Sequence, residues 1–181
     1  GIELGMGGVE GAVDSVWLDP SAGPGGIGFS TIGGTSPKGL CGSGVLDALA
    51  VFLDLGLVDD TGRIVDADEA EALGAGLSAL LSEGPTGPRL SIGGGIYLSQ
   101  ADVRSLQLAI AAIAAGVDVL LARSGRTAAQ VDRVFLAGGF GSYLEVASAV
   151  RVGLLPRALA DRIVVAGNTS GAGAAAACLS L

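Results

Sequence analysis

Three clusters of glycine with hydroxyl or amide side chains mark where this chain could do chemistry: Gly42-Ser43-Gly44, Gly138-Gly139-Phe140-Gly141, and the run from Gly167 through Asn168, Ser170 and Gly171 to Gly173. The second and third follow short apolar runs; the first and third precede helical patterns. A strand–glycine–helix junction exposes unpaired amides at the positive end of a helix, which suits phosphate or ribose oxygens. Tight turns in an α/β domain would use the same residues, so each cluster alone leaves both readings open. None is a P-loop, because G-K-[ST] does not occur. None is a dinucleotide fingerprint, because G-x-G-x-x-G with a downstream acidic residue in a βαβ unit is absent.

Composition narrows the chemistry further. With no histidine, Ser-His and Cys-His nucleophiles, His-ligated metals and His acid–base catalysis are excluded. Cys41 and Cys178 form no C-x-x-C pair and read as free thiols of a reducing compartment. Cys41, beside a helix start where a thiol can be acidified, reads as a small packed residue; Cys178, in an alanine-rich helix, reads as core. The net charge is −8, and Lys38 is the sole lysine, so no basic footprint for nucleic acid exists. Half of the residues are hydrophobic, which argues for a folded core. No unbroken apolar run approaches membrane-spanning length and no basic segment with an apolar stretch opens the chain, so the expectation is a soluble, cytoplasmic protein without a membrane partner. What remains is backbone amides, hydroxyls, carboxylates and helix ends, with 32 glycines to allow close approach.

The elements that must hold the clusters can be read from pattern. Residues 11–19 and 27–32 are β-branched and aromatic runs separated by a Pro/Gly turn, which predicts a hairpin with a long connection. A helix is expected after Gly44, with Val45, Leu46, Leu49, Phe52 and Leu53 on one face, Asp47 and Asp54 away from it, and Gly56 ending it. Val58 to Gly87 is the least regular stretch; its acidic group Asp66, Asp68, Glu69 and Glu71 reads as a solvated helix face and not a metal site. The clearest helix opens at Ser99, with an S-x-x-D capping box to Asp102 and a Leu98/Val103 staple. Val103, Leu106, Ile110, Ile113, Val117 and Leu120 then step by three and four among alanines, predicting packing on several sides until Gly125. Beyond it come a short buried strand at Val134–Ala137, a helix through Val150, a turn near Gly153–Pro156, a strand at Ile163–Ala166 and an alanine-rich helix. No repeat or dividing linker interrupts the chain, so residues 1–181 are expected to form one domain.

The wording and order of the motifs resemble the actin-like ATPase superfamily. Leu136-Ala137-Gly138-Gly139-Phe140-Gly141 is similar to its adenosine motif, Asn168 to Ala174 to its last connecting helix, and Gly42 to Asp47 to its first. Within that superfamily the chain resembles the C-terminal domain of reductive activators of corrinoid-dependent enzymes. Gly39 to Asp47, Leu98 to Arg104, Val134 to Gly141 with Tyr143-Leu144, and Gly167 to Gly173 carry that resemblance in family order.

The resemblance implies an α/β, ribonuclease H-like lobe with a mixed sheet, helices on both faces, and its first hairpin missing. It implies a fragment of a longer iron–sulfur protein with a plant-type [2Fe–2S] ferredoxin domain and phosphate-binding D-x-G loops outside this chain. The whole protein would use ATP and Mg²⁺ to return Co(II) corrinoid to Co(I) in a corrinoid protein, and this lobe alone would be inactive. Gly138, Gly139 and Gly141 would let the purine and ribose approach. Gly42, Ser43, Gly44, Asn168, Ser170 and Gly171 would serve as hinge or supporting positions. Unpaired strand edges would favour a homodimer. Two other readings stay open: an activator of another radical or low-potential enzyme or a small-molecule kinase, and a partner-binding module of the same fold.

Overall fold

In the computed structural model, which describes residues 1–23, 25–138 and 143–180, the first β-branched run forms strand β1 (Ala12–Leu18). It pairs antiparallel with β2 (Ile27–Thr31) and parallel with the short β3 (Gly39–Leu40). The β1–β2 register slips between Val13 and Ser15. At that slip the Asp14 carboxylate accepts the Ser30 hydroxyl at 2.7 Å, and the Asp14 carbonyl accepts the Ser43 hydroxyl, also at 2.7 Å.

Helix α1 (Gly42–Asp54) lies directly against β1. A side chain at Gly44 would collide with the Val13 carbonyl, so the close approach requires glycine. The helix is buried over most of its circumference, which corrects the expectation for Asp47: it is 3% exposed and accepts the Val16 amide at 3.3 Å. Apolar periodicity sets the face of a helix but cannot register a carboxylate claimed by a neighbouring strand. Leu55 closes the helix and Gly56 follows at φ 75°, as its position predicted.

The irregular stretch is more ordered than its composition suggests. The acidic run begins helix α2 (Ala67–Leu73), where Asp66 and Glu69 form a reciprocal capping box. Arg63 bridges Asp59 and Glu69 at 3.1 and 2.8 Å. The Glu69 carboxyl is held down to about 2 by Arg63 and the Asp66 amide, and Asp59 to about 2 by the Thr61 hydroxyl and the Arg63 amide. An antiparallel sheet that the pattern did not reveal comes next: β4 (Leu81–Gly84), β5 (Gly87–Gly93) and β6 (Ile96–Ser99).

Helix α3 (Gln100–Ser124) starts where the capping box placed it: the Ser99 amide donates to Asp102 Oδ2 at 3.0 Å and the Asp102 amide to Ser99 Oγ at 3.2 Å. Gly125 follows at φ 65°. Two compact units, Gly1–Ala112 and Ile113–Leu181, divide the chain inside this helix. Val103, Leu106 and Ile110 are buried, but Leu108 is 76% and Leu120 70% exposed and Ile113 is exposed too, so packing on several sides does not hold. Sequence period fixes which residues share a stripe, not whether a neighbour covers it. By length and composition α3 could also cross a membrane. Its opening residues Ser99 and Asp102, however, are buried and hydrogen-bonded within the first unit.

The second unit contains β7 (Val134–Ala137), α4 (Val146–Arg151), β8 (Ile163–Gly167) and α5 (Thr169–Leu179). Strands β7 and β8 pair in parallel. Leu144, Ala149, Leu154, Leu155 and Leu159 are its buried apolar residues among those described, clustered around α4 and the turn after it. The expectation of a buried strand at Val134–Ala137 fails: Phe135 is 60% exposed, and Val164 and Val165 of β8 are exposed as well. Cys178 is exposed on α5, not core, whereas Cys41 is buried as expected. The mixed α/β class holds, with the strands among the described residues distributed over three sheets.

Candidate functional site

Gly138 and Gly167, the first residues of the second and third glycine clusters, meet at the C-terminal ends of β7 and β8. Ala137 pairs with Gly167, and the Gly138 amide donates to the Gly167 carbonyl at 2.9 Å. Gly138 and Gly167 have φ of 102° and 70°, which side chains other than glycine rarely adopt. Among the described residues a β-carbon at either would meet nothing within 4 Å, so it is the positive φ and not crowding that calls for glycine here. The carboxyl ends of parallel strands are the usual ligand-binding edge of an α/β sheet. Gly139 and Gly141, the other expected nucleotide contacts, lie outside the described residues.

Asn168 opens α5 by accepting the Gly171 amide at 3.0 Å. A β-carbon on Gly171 would sit 2.7 Å from the Asn168 side-chain nitrogen, so cap and glycine are fitted to each other. Ser170 is exposed in the first turn of the same helix.

Gly42, Ser43 and Gly44 belong to the first unit and form the first turn of α1 itself, not a loop before it. Ser43 is spent on the Asp14 carbonyl, with its hydroxyl 3.4 Å from the Cys41 sulfur, and Gly44 on the approach to Val13. This cluster holds a helix to a strand.

The strand ends at β7 and β8 bring glycine backbone next to the start of α5. They offer no carboxylate cluster for a metal: among the described residues no group of three or more His, Cys, Asp or Glu could hold one. Two cysteines in the whole sequence, one of them buried, do not fit the four thiolates of a [2Fe–2S] centre.

Comparison with known proteins settles the family. Residues 1–181 match the model of the C-terminal domain of RACo, the ASKHA domain. The chain belongs to this family. It is 33% identical over 181 residues to the corrinoid activation enzyme RamQ of Eubacterium limosum, covering 96% of this chain and 30% of that protein. It is 29% identical over 137 residues to the [Co(II) methylated amine-specific corrinoid protein] reductase of Methanosarcina barkeri, covering 76% of this chain and 21% of that protein. Among solved structures, a reductive activator for corrinoid, iron-sulfur protein superposes with a TM-score of 0.79 at 32% identity, over 94% of this chain and 27% of the other. The chain therefore spans less than a third of the length of these relatives.

Sequence reasoning missed one polar cluster in this ASKHA domain. The Glu3 carboxylate accepts from Tyr97 Oη at 2.9 Å, Thr86 Oγ1 at 2.9 Å and Arg89 at 3.0 Å. Arg89 also stacks on the Tyr97 ring, 4.1 Å from its centre. The Tyr97 hydroxyl, helped by Thr86 and Arg89, holds the Glu3 carboxyl below its ordinary range, and Glu3 in turn raises the Tyr97 phenol. Four residues scattered over nearly a hundred positions leave no local pattern to find.

Proposed function

We propose that residues 1–181 are the nucleotide-binding lobe of an ATP-dependent activator that returns the Co(II) form of a corrinoid protein to Co(I). The observation that carries this reading is the hydrogen bond from Gly138 to Gly167, which joins the ends of the parallel strands β7 and β8 where the two glycine-rich stretches of sequence begin. Gly138, Gly139 and Gly141 would give the purine and ribose room. Asn168, Ser170 and Gly171 would shape the start of α5 beside them, and Gly42, Ser43 and Gly44 would set the hinge at the start of α1.

ATP phosphates carry the negative charge that most needs partners, and Mg²⁺ needs carboxylate or hydroxyl oxygens. The strand ends at β7 and β8 would supply the nucleoside side, and the phosphates, Mg²⁺ and a [2Fe–2S] cluster would be held by other parts of the full-length protein. The isolated lobe would then be inactive. The full-length protein would work in the cytoplasm, with α3 as a domain helix and not a membrane span. The β7–β8 pair has no other strand beside it among the described residues, which favours association into a homodimer. A monodisperse monomer of the full-length protein by light scattering would refute that association.

Calorimetric titration with ATP and Mg²⁺ tests the nucleotide site. Full-length protein carrying Gly139→Val should lose about tenfold or more in affinity, since added bulk fills a slot that must close on a flat ring. The isolated 181-residue chain should bind weakly. Unchanged affinity in the full-length variant would show that adenosine lies elsewhere. Tight binding by the isolated chain would mean that the phosphates are held within these residues.

A further inference from the structure

We infer that Glu3–Met6 is a two-ended clamp that ties the start of α1 to the start of α3, so that the two helix starts move as one. At one end the Glu3 amide donates to Asp102 Oδ1 at 2.7 Å, while Asp102 Oδ2 holds the Ser99 amide at 3.0 Å. One fully buried carboxylate thus caps α3 and grips a segment 99 residues away. The Glu3 side chain fastens the same segment to the β4–β6 sheet through Thr86, Arg89 and Tyr97.

At the other end, the Leu40 amide donates to the Leu4 carbonyl at 2.8 Å and the Met6 amide to the Leu40 carbonyl at 2.9 Å. Leu40 immediately precedes Cys41, the N-cap of α1. The fit is tight, because a β-carbon on Gly39 would stand 2.5 Å from the Leu4 carbonyl and 2.9 Å from the Met6 sulfur. A turn closed by the Gly5 amide on the Ile2 carbonyl at 3.1 Å leaves the segment little slack. Movement of either end therefore breaks bonds at the other or leaves the buried oxygens of Asp102 short of a donor, and such losses are costly.

The two helices so joined have different stations. The first turn of α1 is the Gly42-Ser43-Gly44 cluster, and α3 is the helix that runs through both compact units. The clamp gives a displacement at the glycine turn a direct route to the start of α3 within the first unit. It stands on unit 1 geometry alone and does not depend on nucleotide binding.

Hydrogen exchange read at single amides in the full-length protein tests it. Glu3→Ala removes three side-chain bonds from one end only. The expected result is exchange about tenfold faster at the Leu40 and Met6 amides as well as at Ser99, with the Phe29 amide of the β1–β2 ladder unchanged. Tyr97→Phe, which removes a single donor, should give the same pattern more weakly. Faster exchange at Ser99 with Leu40 unaltered would show that the ends are independent and would overturn the clamp. Uniform acceleration across unit 1 would overturn it too, because Glu3 would then support global stability and not a coupled segment.

Discussion

The two compact units solve the same problem unequally. Gly1–Ala112 carries 14 carboxylates against 4 basic side chains, and Ile113–Leu181 carries 4 against 6. The acidic unit has the closed core: Phe52, Leu40, Leu57, Leu90 and Leu98 are fully buried. The weakly basic unit leaves Phe135, Val164, Val165 and Leu179 exposed, although its strands are apolar along their whole length. Parallel strands of that composition are ordinarily covered on both faces. The difference lies in how the apolar residues are covered: the first unit encloses them, whereas among the described residues the second has two parallel strands with apolar side chains left exposed.

That contrast can be broken by truncating one aromatic in each unit. Phe52→Ala should destabilise unit 1 by about 3–5 kcal/mol, as expected for emptying a fully packed ring site. Phe135→Ala should cost less than about 1 kcal/mol, because an exposed ring loses little on removal. Thermal melts can follow unit 1 through Trp17, the sole tryptophan, and the whole chain by circular dichroism. Comparable losses for the two variants would mean that the Phe135 face is covered in solution.

Asn168→Ala sharpens the picture of the second unit. It removes the cap on the Gly171 amide and should weaken α5 by about 1 kcal/mol, read as faster exchange of the first-turn amides. Exchange rates unchanged at Gly171 would show that α5 draws no stability from its cap.

The smallest effect belongs to the acidic unit's surface. Asp59 and Glu69 titrate at about 2 in the folded protein, below ordinary values of 3.8 and 4.5. A depressed folded value means that their contribution is complete above the unfolded values and is lost as pH falls from about 4.5 through 2. Melting of unit 1 should therefore fall modestly over that window, and less so in Arg63→Gln, which has already lost the bridge. An identical pH slope in Arg63→Gln would show that the bridge does not set these values.

Local chemistry is legible in the sequence. The hairpin of β1 and β2, the Ser99–Asp102 cap, the stops at Gly56 and Gly125, and the strand–glycine junction at Gly138 all follow from interactions within a few residues, which a linear pattern records. The antiparallel β4–β6 sheet was not legible, because its short strands are rich in glycine, proline and charge, and lack a clean alternation.

The order of elements over most of the chain, the exclusion of histidine and P-loop chemistry, and the family, through its glycine motifs, are all written in the amino-acid order. Folding in three dimensions is what buries Asp47 against Val16, leaves Cys178 and the later turns of α3 exposed, and bonds Gly138 to Gly167. Glu3 reaching Tyr97 and Asp102 is of the same kind. The reason is range: caps, turns and periodicity act between residues a few positions apart, whereas burial and polar pairing depend on which distant segments the folded chain brings into contact.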